Sequence, residues 1–324
     1  MRNAGATMLA LVAAVALAAP WLAPNAPNQR FNDLLLAPPT RVYFFGGEAT
    51  RPYIYPWRLL SRIEYRFEED RARQVPLRWF TRDGVVSGAP EQGAPLLVLG
   101  ADGYGRDIFS RLLYGSRTTL ILALLATAAA TLAGTIVGGI AGYAGGWPDA
   151  VLSRVSEFVL VLPAIYVALA LRAVMPIVLA PSTVFVLLLG IFTLFGWPIV
   201  ARGVRAIVAT ERSREYAIAA RAAGGSDARI LVRHLLPAAW GYLATQATLL
   251  LPAFIVAEAT LSFVGLGFPD TMPTWGTMLQ EASNVALLEQ APWTLAPAAA
   301  IFVVVLGVNL LVQGSGRVPV QLER

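Results

Sequence analysis

Long apolar runs recur along this 324-residue chain, and they leave few architectures open. Six of them, at about 7–23, 118–143, 158–179, 183–201, 243–268 and 293–313, approach the length a helix needs to cross ~30 Å of hydrocarbon. Lipid offers the backbone no hydrogen-bond partners, so each run is expected to be helical. The expected fold class is therefore an all-α integral membrane protein with about six transmembrane helices. Composition agrees, since 56% of residues are hydrophobic and only 14% charged, too few to cover a soluble domain of this size. The expected division is an N-terminal transmembrane helix at 1–23, an extracytoplasmic loop element at 24–98, a core with five transmembrane helices at 99–313, and a cytoplasmic tail at 314–324. The first run is short and follows Arg2, so a secretory signal with small residues around Ala16 and Ala18 stays open as a second reading.

Loop charge sets the expected orientation. The segment 202–233 holds Arg202, Arg205, Arg212, Arg214, Arg221, Arg229 and Arg233 against Glu211, Glu215 and Asp227. The segment 269–291 has Asp270, Glu281 and Glu289 and no arginine. Positive residues stay in the cytoplasm, which puts the first of these segments inside, the second outside, and both termini in the cytoplasm. The long first loop then lies outside. Within it, Arg62 to Arg73 is expected to form a solvated, charged helix with Glu/Arg pairs three or four apart.

Absences narrow the chemistry. The chain has no cysteine and a single histidine, His234, which excludes thiolate chemistry and multi-histidine metal sites. All 25 basic residues are arginine, so there is no Walker A lysine to reach nucleotide phosphates. The net charge of +5 reads as topogenic, and no nucleic-acid partner is expected. The glycines of TIVGGIAGYAGG follow no strand and match no phosphate fingerprint; they read as a helix-packing face.

One polar stretch stands out, ERSREYAIAARAAGGSDARILVRHLLP at 211–237. Residues 211–223 favour a helix, with five alanines between Ala217 and Ala223. Gly224-Gly225 should end it, one of the two in the left-handed conformation. Ser226 suits the N-cap of a second helix and Asp227 its positive end. That helix should run toward Leu236, with Pro237 marking re-entry into the membrane. Two readings of this hairpin are open: an arginine-rich loop touching headgroups, or a docking element whose bare alanine face lets a partner approach its backbone, with arginines at the rim.

The stretch resembles the EAA loop of ABC-importer permeases, an alanine pair, three residues, a glycine, and a Leu-Pro closing thirteen residues later. Ala219-Ala220, Gly224 and Leu236-Pro237 meet that spacing. It is most similar to the C-type permease subunits of dipeptide and oligopeptide importers, with Glu215-Tyr216 ahead of Ala219-Ala220-Arg221-Ala222 and Arg233-His234 before Leu235-Leu236-Pro237. Ile218 stands where the motif has its glutamate. LGADGYGRDIFSRLLYGSRTTL with its Gly105-Arg106-Asp107 core, GYAGGWPDAVLSRVSEFVLVLPAI and AEATLSFVGLGFPDTMPTWGTML extend the resemblance over most of 99–313, whereas the ending QGSGRVPVQLER departs from it.

The resemblance implies a permease subunit of an ATP-driven importer of peptides or similar small solutes, in a bacterial inner membrane. Its implied partners are a homologous second permease, two ATP-binding cassette ATPases, an extracytoplasmic solute-binding protein and the lipid bilayer. ATP and Mg are then bound by the ATPases, and no cofactor by this chain. Glu215, Tyr216, Ala219, Ala220, Arg221, Gly224, Gly225, Ser226, Leu236 and Pro237 become the expected ATPase-coupling residues. Glu258, an acid well inside a predicted span, is a translocation-pathway candidate, or else a group near a helix end, hydrogen-bonded to the partner subunit or reaching the outer interface. Two other classes remain: a membrane enzyme using acids such as Glu68-Glu69-Asp70, and a membrane scaffold without transport.

Overall fold

The computed structural model describes residues 2–44, 52–81, 84–173, 176 and 179–315. Most of the predicted tail, 316–324, lies outside them. Two compact units are present, one combining Met1–Leu120 with Glu258–Arg324, the other Ile121–Ala257.

In the first unit α1 (Arg2–Leu17) and the short α2 (Ala19–Leu22) lead into the first loop. The 16 residues of α1 reach only about 24 Å at ~1.5 Å per residue, less than the predicted first span. The loop departs from an all-helical reading. It carries β1 (Val42–Tyr43), β2 (Tyr53–Ile54), β3 (Trp57–Ser61), β4 (Arg66–Glu69), β5 (Val75–Pro76), β6 (Arg78–Thr81) and β7 (Gly84–Ser87). They form an antiparallel three-stranded sheet in the order β1-β2-β5 and two hairpins, β3-β4 and β6-β7. One core gathers Ile54, Val75, Leu77, Ala89, Ala94 and Leu96, and a second gathers Leu34, Ala37, Leu97 and Ala101 beneath Phe31, Trp57 and Phe67.

The helix expected over Arg62–Arg73 is therefore corrected to a turn and the strand β4. Its residues alternate, with Phe67 and Glu69 inward and Arg66 and Glu68 exposed. Phe67 meets Trp57 edge-on at 6.5 Å, and the Tyr43 hydroxyl donates to the Glu69 carboxylate, 2.8 and 2.9 Å from its two oxygens. Helix preference is worth at most about 0.7 kcal/mol per residue, so burial of one aromatic face, about 1.5–3 kcal/mol, outweighs it.

The remaining helices follow: α3 (Ile108–Ala144), α4 (Gly146–Val161), α5 (Ala164–Ala173), α6 (Pro181–Glu211), α7 (Glu215–Ala222), α8 (Asp227–Ile230), α9 (Trp240–Phe263), α10 (Trp275–Glu281), α11 (Val285–Gln290) and α12 (Ala296–Ser315). Among the described residues, four uninterrupted helical stretches are long and apolar enough to cross a membrane, at 108–144, 181–211, 227–263 and 292–312. They cover the second, fourth, fifth and sixth predicted spans. The third, expected as one helix at 158–179, is broken, since α4 and α5 meet at 81°. Pro163 accounts for the break: a residue before proline is pushed out of the helical region, and Leu162 is extended at φ −70, ψ 124.

Close helix approach in the second unit rests on glycine. Gly134, Gly138 and Gly142 form a stripe along α3, four residues apart, facing the Trp197, Ala201 and Arg205 carbonyls of α6, which have the same spacing. A Cβ at Gly138 would strike the Ala201 carbonyl, while one at Gly190 on α6 would meet nothing. Gly138→Ala should therefore lower stability in detergent by about 1–3 kcal/mol. Gly190→Ala should leave it unchanged or raise it by up to about 1 kcal/mol, as read by thermal or denaturant unfolding of the purified chain.

Candidate functional site

The hairpin predicted at 211–237 is present, with its boundaries redrawn. Helix α6 runs on to Glu211, so Arg202 and Arg205 stand on a helix and not in a loop. After a short turn α7 covers Glu215–Ala222, with Glu215 in its first turn and Arg221 in its last, the charge order a helix dipole favours. Its end is a Schellman motif: Gly224 N–H donates to the Arg221 carbonyl at 3.0 Å and Gly225 N–H to the Ala220 carbonyl at 3.1 Å. Gly224 is the left-handed residue, with φ 79, and a Cβ there would find open space, so conformation alone demands glycine. At Gly225 the demand is steric, because a Cβ would lie 2.8 Å from the Ala220 carbonyl oxygen.

Two details differ from expectation. Ser226 stands at the N-cap position with extended backbone, but its hydroxyl makes no capping bond. The second helix is only α8, followed by a π turn at Leu231–Leu235 and a 3-10 turn at Leu236–Ala239 that leads into α9. Pro237 explains the change of winding, since proline supplies no N–H and its ring crowds the carbonyl four residues earlier.

A residue that sequence reasoning missed fastens both arms. The Tyr143 hydroxyl, at the end of α3, donates to Asp227 Oδ1 and accepts from Arg221 Nη2 at 3.0 Å. The Arg221 guanidinium also lies 5.5 Å from the Tyr143 ring centroid, and Arg212 Nη1 donates to the Tyr143 carbonyl. Ala217 packs inward, whereas Ala219, Ala222, Ala223 and Gly224 are exposed. Ile218 is 59% exposed, and Tyr216 is half-exposed with its hydroxyl on Glu211 at 2.6 Å. Nothing in the local pattern around Tyr143 marks it as an anchor; only the fold brings it to Arg221 and Asp227.

The first unit holds a second charged arrangement around Gly105-Arg106-Asp107. Gly105 turns left-handed at φ 73 against the Phe31 carbonyl. Asp107 begins α3, taking the Ser110 hydroxyl at 2.5 Å, the Asn25 amide at 3.1 Å and the Phe109 N–H at 3.1 Å. Arg106 is buried and binds Asp102 at 2.7 Å, Asp270 at 2.6 Å and Glu281. Arg111, also buried, lies 3.4 Å from Asp270, 3.6 Å from Glu281 and 3.7 Å from Asp102. Asp270 and Glu281 entered the sequence reading only as loop charges.

Glu258 is 1% exposed, and its carboxylate accepts from the hydroxyls of Ser262 and Thr274 at 2.8 Å and of Thr119 at 3.3 Å. Thr274 with Thr277 forms the capping box of α10, so Glu258 ties α9 to that cap. Glu68 and Glu69, weighed as paired acids, point to opposite sides of β4, as successive strand residues must.

Among the described residues, long apolar helices with one broken span, and a glycine-capped polar hairpin braced from a helix end, are the architecture of a multi-pass membrane protein. Residues 134–318 match the family of binding-protein-dependent transport system inner membrane components, and the chain belongs to that family. Among its relatives are a putative peptide permease protein of Brucella ovis, 36% identical over 216 residues (66% of this chain, 70% of that one), and a dipeptide transport system permease protein of Alkalihalophilus pseudofirmus, 37% identical over 216 residues (66% and 68%). A di/tripeptide transport system permease protein of Pseudomonas aeruginosa is 29% identical over 312 residues, 96% of this chain and 84% of that one. That last match necessarily takes in most of the first loop. The chain is thus an inner-membrane, multi-pass permease subunit of an ABC importer.

Two buried arginines face three acids, of which Asp102 is buried, Glu281 mostly so and Asp270 half-exposed. Burial, reinforced by Asp102, pushes Glu281 up to about 8 from an ordinary 4.5. Burial would raise Asp270 too, but its bond to Arg106 and the charges of Arg106 and Arg111 hold it below its usual range. Between about 4.5 and about 8 the folded chain keeps a Glu281 proton that the unfolded chain has lost, so stability should fall as pH rises through that window. Glu281→Gln should flatten that decline in a pH series of melting temperatures; an unchanged slope would assign it to other groups.

Proposed function

We propose that this chain forms half of a translocation pathway for peptides or similar small solutes, completed by a homologous second permease. The α7-α8 hairpin docks on one of two cytoplasmic ATPases, which bind ATP and Mg and do the hydrolysis. A solute-binding protein delivers cargo to the opposite face, and both termini are cytoplasmic. The peptide class comes from the names of the relatives. The assignment of hydrolysis to partners is supported by the absence of lysine, and so of a Walker A loop, in this chain.

One observation carries the docking reading: the hairpin is built rigidly but presents little of its own. A Schellman motif closes α7, Tyr143 holds Arg221 and Asp227 together, and the outer face offers small alanines beside an exposed Ile218. A loop needed only for topology requires charge but no such backbone. Rigid short helices transmit rotation as a body, so closure of an ATPase pair around the hairpin would reach α3 through Tyr143 and the membrane through α9. Glu215, Tyr216, Ala219, Ala220 and Gly225 shape this surface, and Ser226, Leu236 and Pro237 set the return path. Glu258 enters the proposal as the anchor of the α10 cap, through which it bears on the pathway.

Gly224→Val should abolish co-purification of the ATPases, because a β-branched residue at φ 79 undoes the Schellman turn. Membrane insertion should remain intact; undiminished co-purification would remove the docking role. Orientation is tested separately. The chain has no cysteine, so Ser226→Cys offers a single exposed thiol. It should react with an impermeant maleimide only in inside-out vesicles, and labelling of right-side-out vesicles would invert the topology.

A further inference from the structure

Near the hairpin end of the second unit, α3, α4 and α6 share a cleft of about 200 Å³. Its polar lining is Ser153, Ser156 and Glu157 from α4 and Arg202 and Arg205 from α6, while α3 contributes only apolar surface. On each of the two helices these residues stand three or four positions apart, and so share a face. The sequence sets the level of the cleft in the bilayer. The apolar run at 158–179 begins beside Glu157, the run at 183–201 stops beside Arg202, and the run at 118–143 ends two residues past the lining residue Ala141. Three apolar runs thus place the cleft at the edge of the hydrocarbon, where the bilayer presents headgroups and not tails.

Some of these groups are committed and two are not. Arg205 holds both Asp149 oxygens, with Nη2 at 2.6 Å from Oδ2. Ser156 donates to the Leu152 carbonyl at 2.9 Å. Arg202 makes no salt bridge or hydrogen bond among the described residues. Glu157 has only the exposed Arg154 within reach, at 3.3 Å, a surface pair of little worth. A cation on α6 and an anion on α4 therefore open to the same cleft without joining each other. A ligand that carries both charges fits that arrangement.

We propose that this cleft holds the headgroup of an aminophospholipid such as phosphatidylethanolamine, with its phosphate on Arg202, beside Arg205, and its ammonium on Glu157. A guanidinium grips phosphate with two parallel bonds and is more weakly hydrated than an ammonium ion. Basic pockets between membrane helices are suited to lipid headgroups for this reason. Glu157 decides the class, because a phosphatidylglycerol headgroup brings negative charge alone and would be repelled by it. The cleft is smaller than the ~300–1,000 Å³ of drug-sized sites, which suits a headgroup whose acyl chains stay in the bilayer. The bound lipid would bridge α4 to α6 beside the Asp149–Arg205 pair. The inference needs only that the chain spans a membrane, and stands apart from cargo and from ATPase docking.

The test uses the full chain in detergent, with native mass spectrometry counting the lipid retained from an equimolar mixture of phosphatidylethanolamine, phosphatidylcholine and phosphatidylglycerol. Phosphatidylethanolamine should be retained about tenfold over phosphatidylcholine, which keeps both charges but has no N–H for Glu157. Arg202→Gln should lower that retention about tenfold, Arg202→Lys should restore most of it, and Glu157→Gln should abolish the preference over phosphatidylglycerol. Phosphatidylethanolamine should raise the melting temperature of the wild type but not of Arg202→Gln, whose lipid-free melting temperature should match the wild type's. Equal retention of the three lipids, or wild-type retention by Arg202→Gln, would overturn the site. Displacement of the lipid by inorganic phosphate as readily as by glycerophosphoethanolamine would mark a free-anion site and overturn it too. Loss of a co-purifying permease in place of lipid from these variants would make the cleft a protein interface and remove the lipid.

Discussion

Everything in the membrane part follows from the lack of hydrogen-bond partners in hydrocarbon. The backbone must satisfy itself within helices, and helices gain little hydrophobic drive from meeting one another, because lipid tails are as apolar as leucine. Dispersion and close backbone approach are what remain. The stripe Gly134, Gly138 and Gly142 meets that requirement, bringing α3 against carbonyls of α6 that repeat at the same interval. The Arg205–Asp149 bridge between α6 and α4 then adds a polar clasp near the end of this contact. Where the chain does break its helix, at Leu162-Pro163, proline has removed the N–H whose loss would otherwise be most costly.

Polar order takes over where the helices leave the lipid, and it is concentrated in two knots. In the first unit Arg106 and Arg111 gather Asp102 from the same turn, Asp270 from a distant loop and Glu281 from the end of α10, so residues 102, 270 and 281 are brought together by charge. A buried ion cluster of this kind is poor evidence of net stability, since desolvation offsets much of the attraction; removing one member, however, strands the rest at about 3–5 kcal/mol. In the second unit Tyr143 joins two groups with less charge, because a phenol can donate to Asp227 and accept from Arg221 at once.

What was legible in the sequence follows from the same division. Four of the six predicted spans are uninterrupted helices, because twenty apolar residues admit no other form in lipid. The hairpin and its glycine turn were legible because alanine, glycine and N-cap preferences act locally, yet locality also misled. Ser226 has the right backbone without the expected bond, and the charge spacing of Arg62–Arg73 suggested a helix where contact of Phe67 with Trp57 imposes a strand. Pro163 was visible as a break signal but lay inside a run whose hydropathy alone suggested continuity. Tyr143, Asp270 and Glu281 were illegible as site residues for a different reason: their partners lie 69 to 175 positions away, and no local pattern records such a distance.

The departure at Ile218 now has a physical setting. A glutamate at that position would bring a charge to the outer face of α7, beside Glu215 one turn earlier, and would call for a cation on the docking partner. Isoleucine removes that requirement and leaves an exposed apolar side chain flanked by alanines. Burying its remaining exposed surface on docking would return about 1–2 kcal/mol, in the range of one hydrogen bond, without the need to desolvate an ion. The polar specificity of the hairpin then falls to Arg221, which is already oriented by Tyr143, and to Glu215. In the docking reading, therefore, the loss of the motif's glutamate does not weaken the interface but exchanges one kind of contact for another, and the ATPase groove that fits this chain should be apolar opposite Ile218.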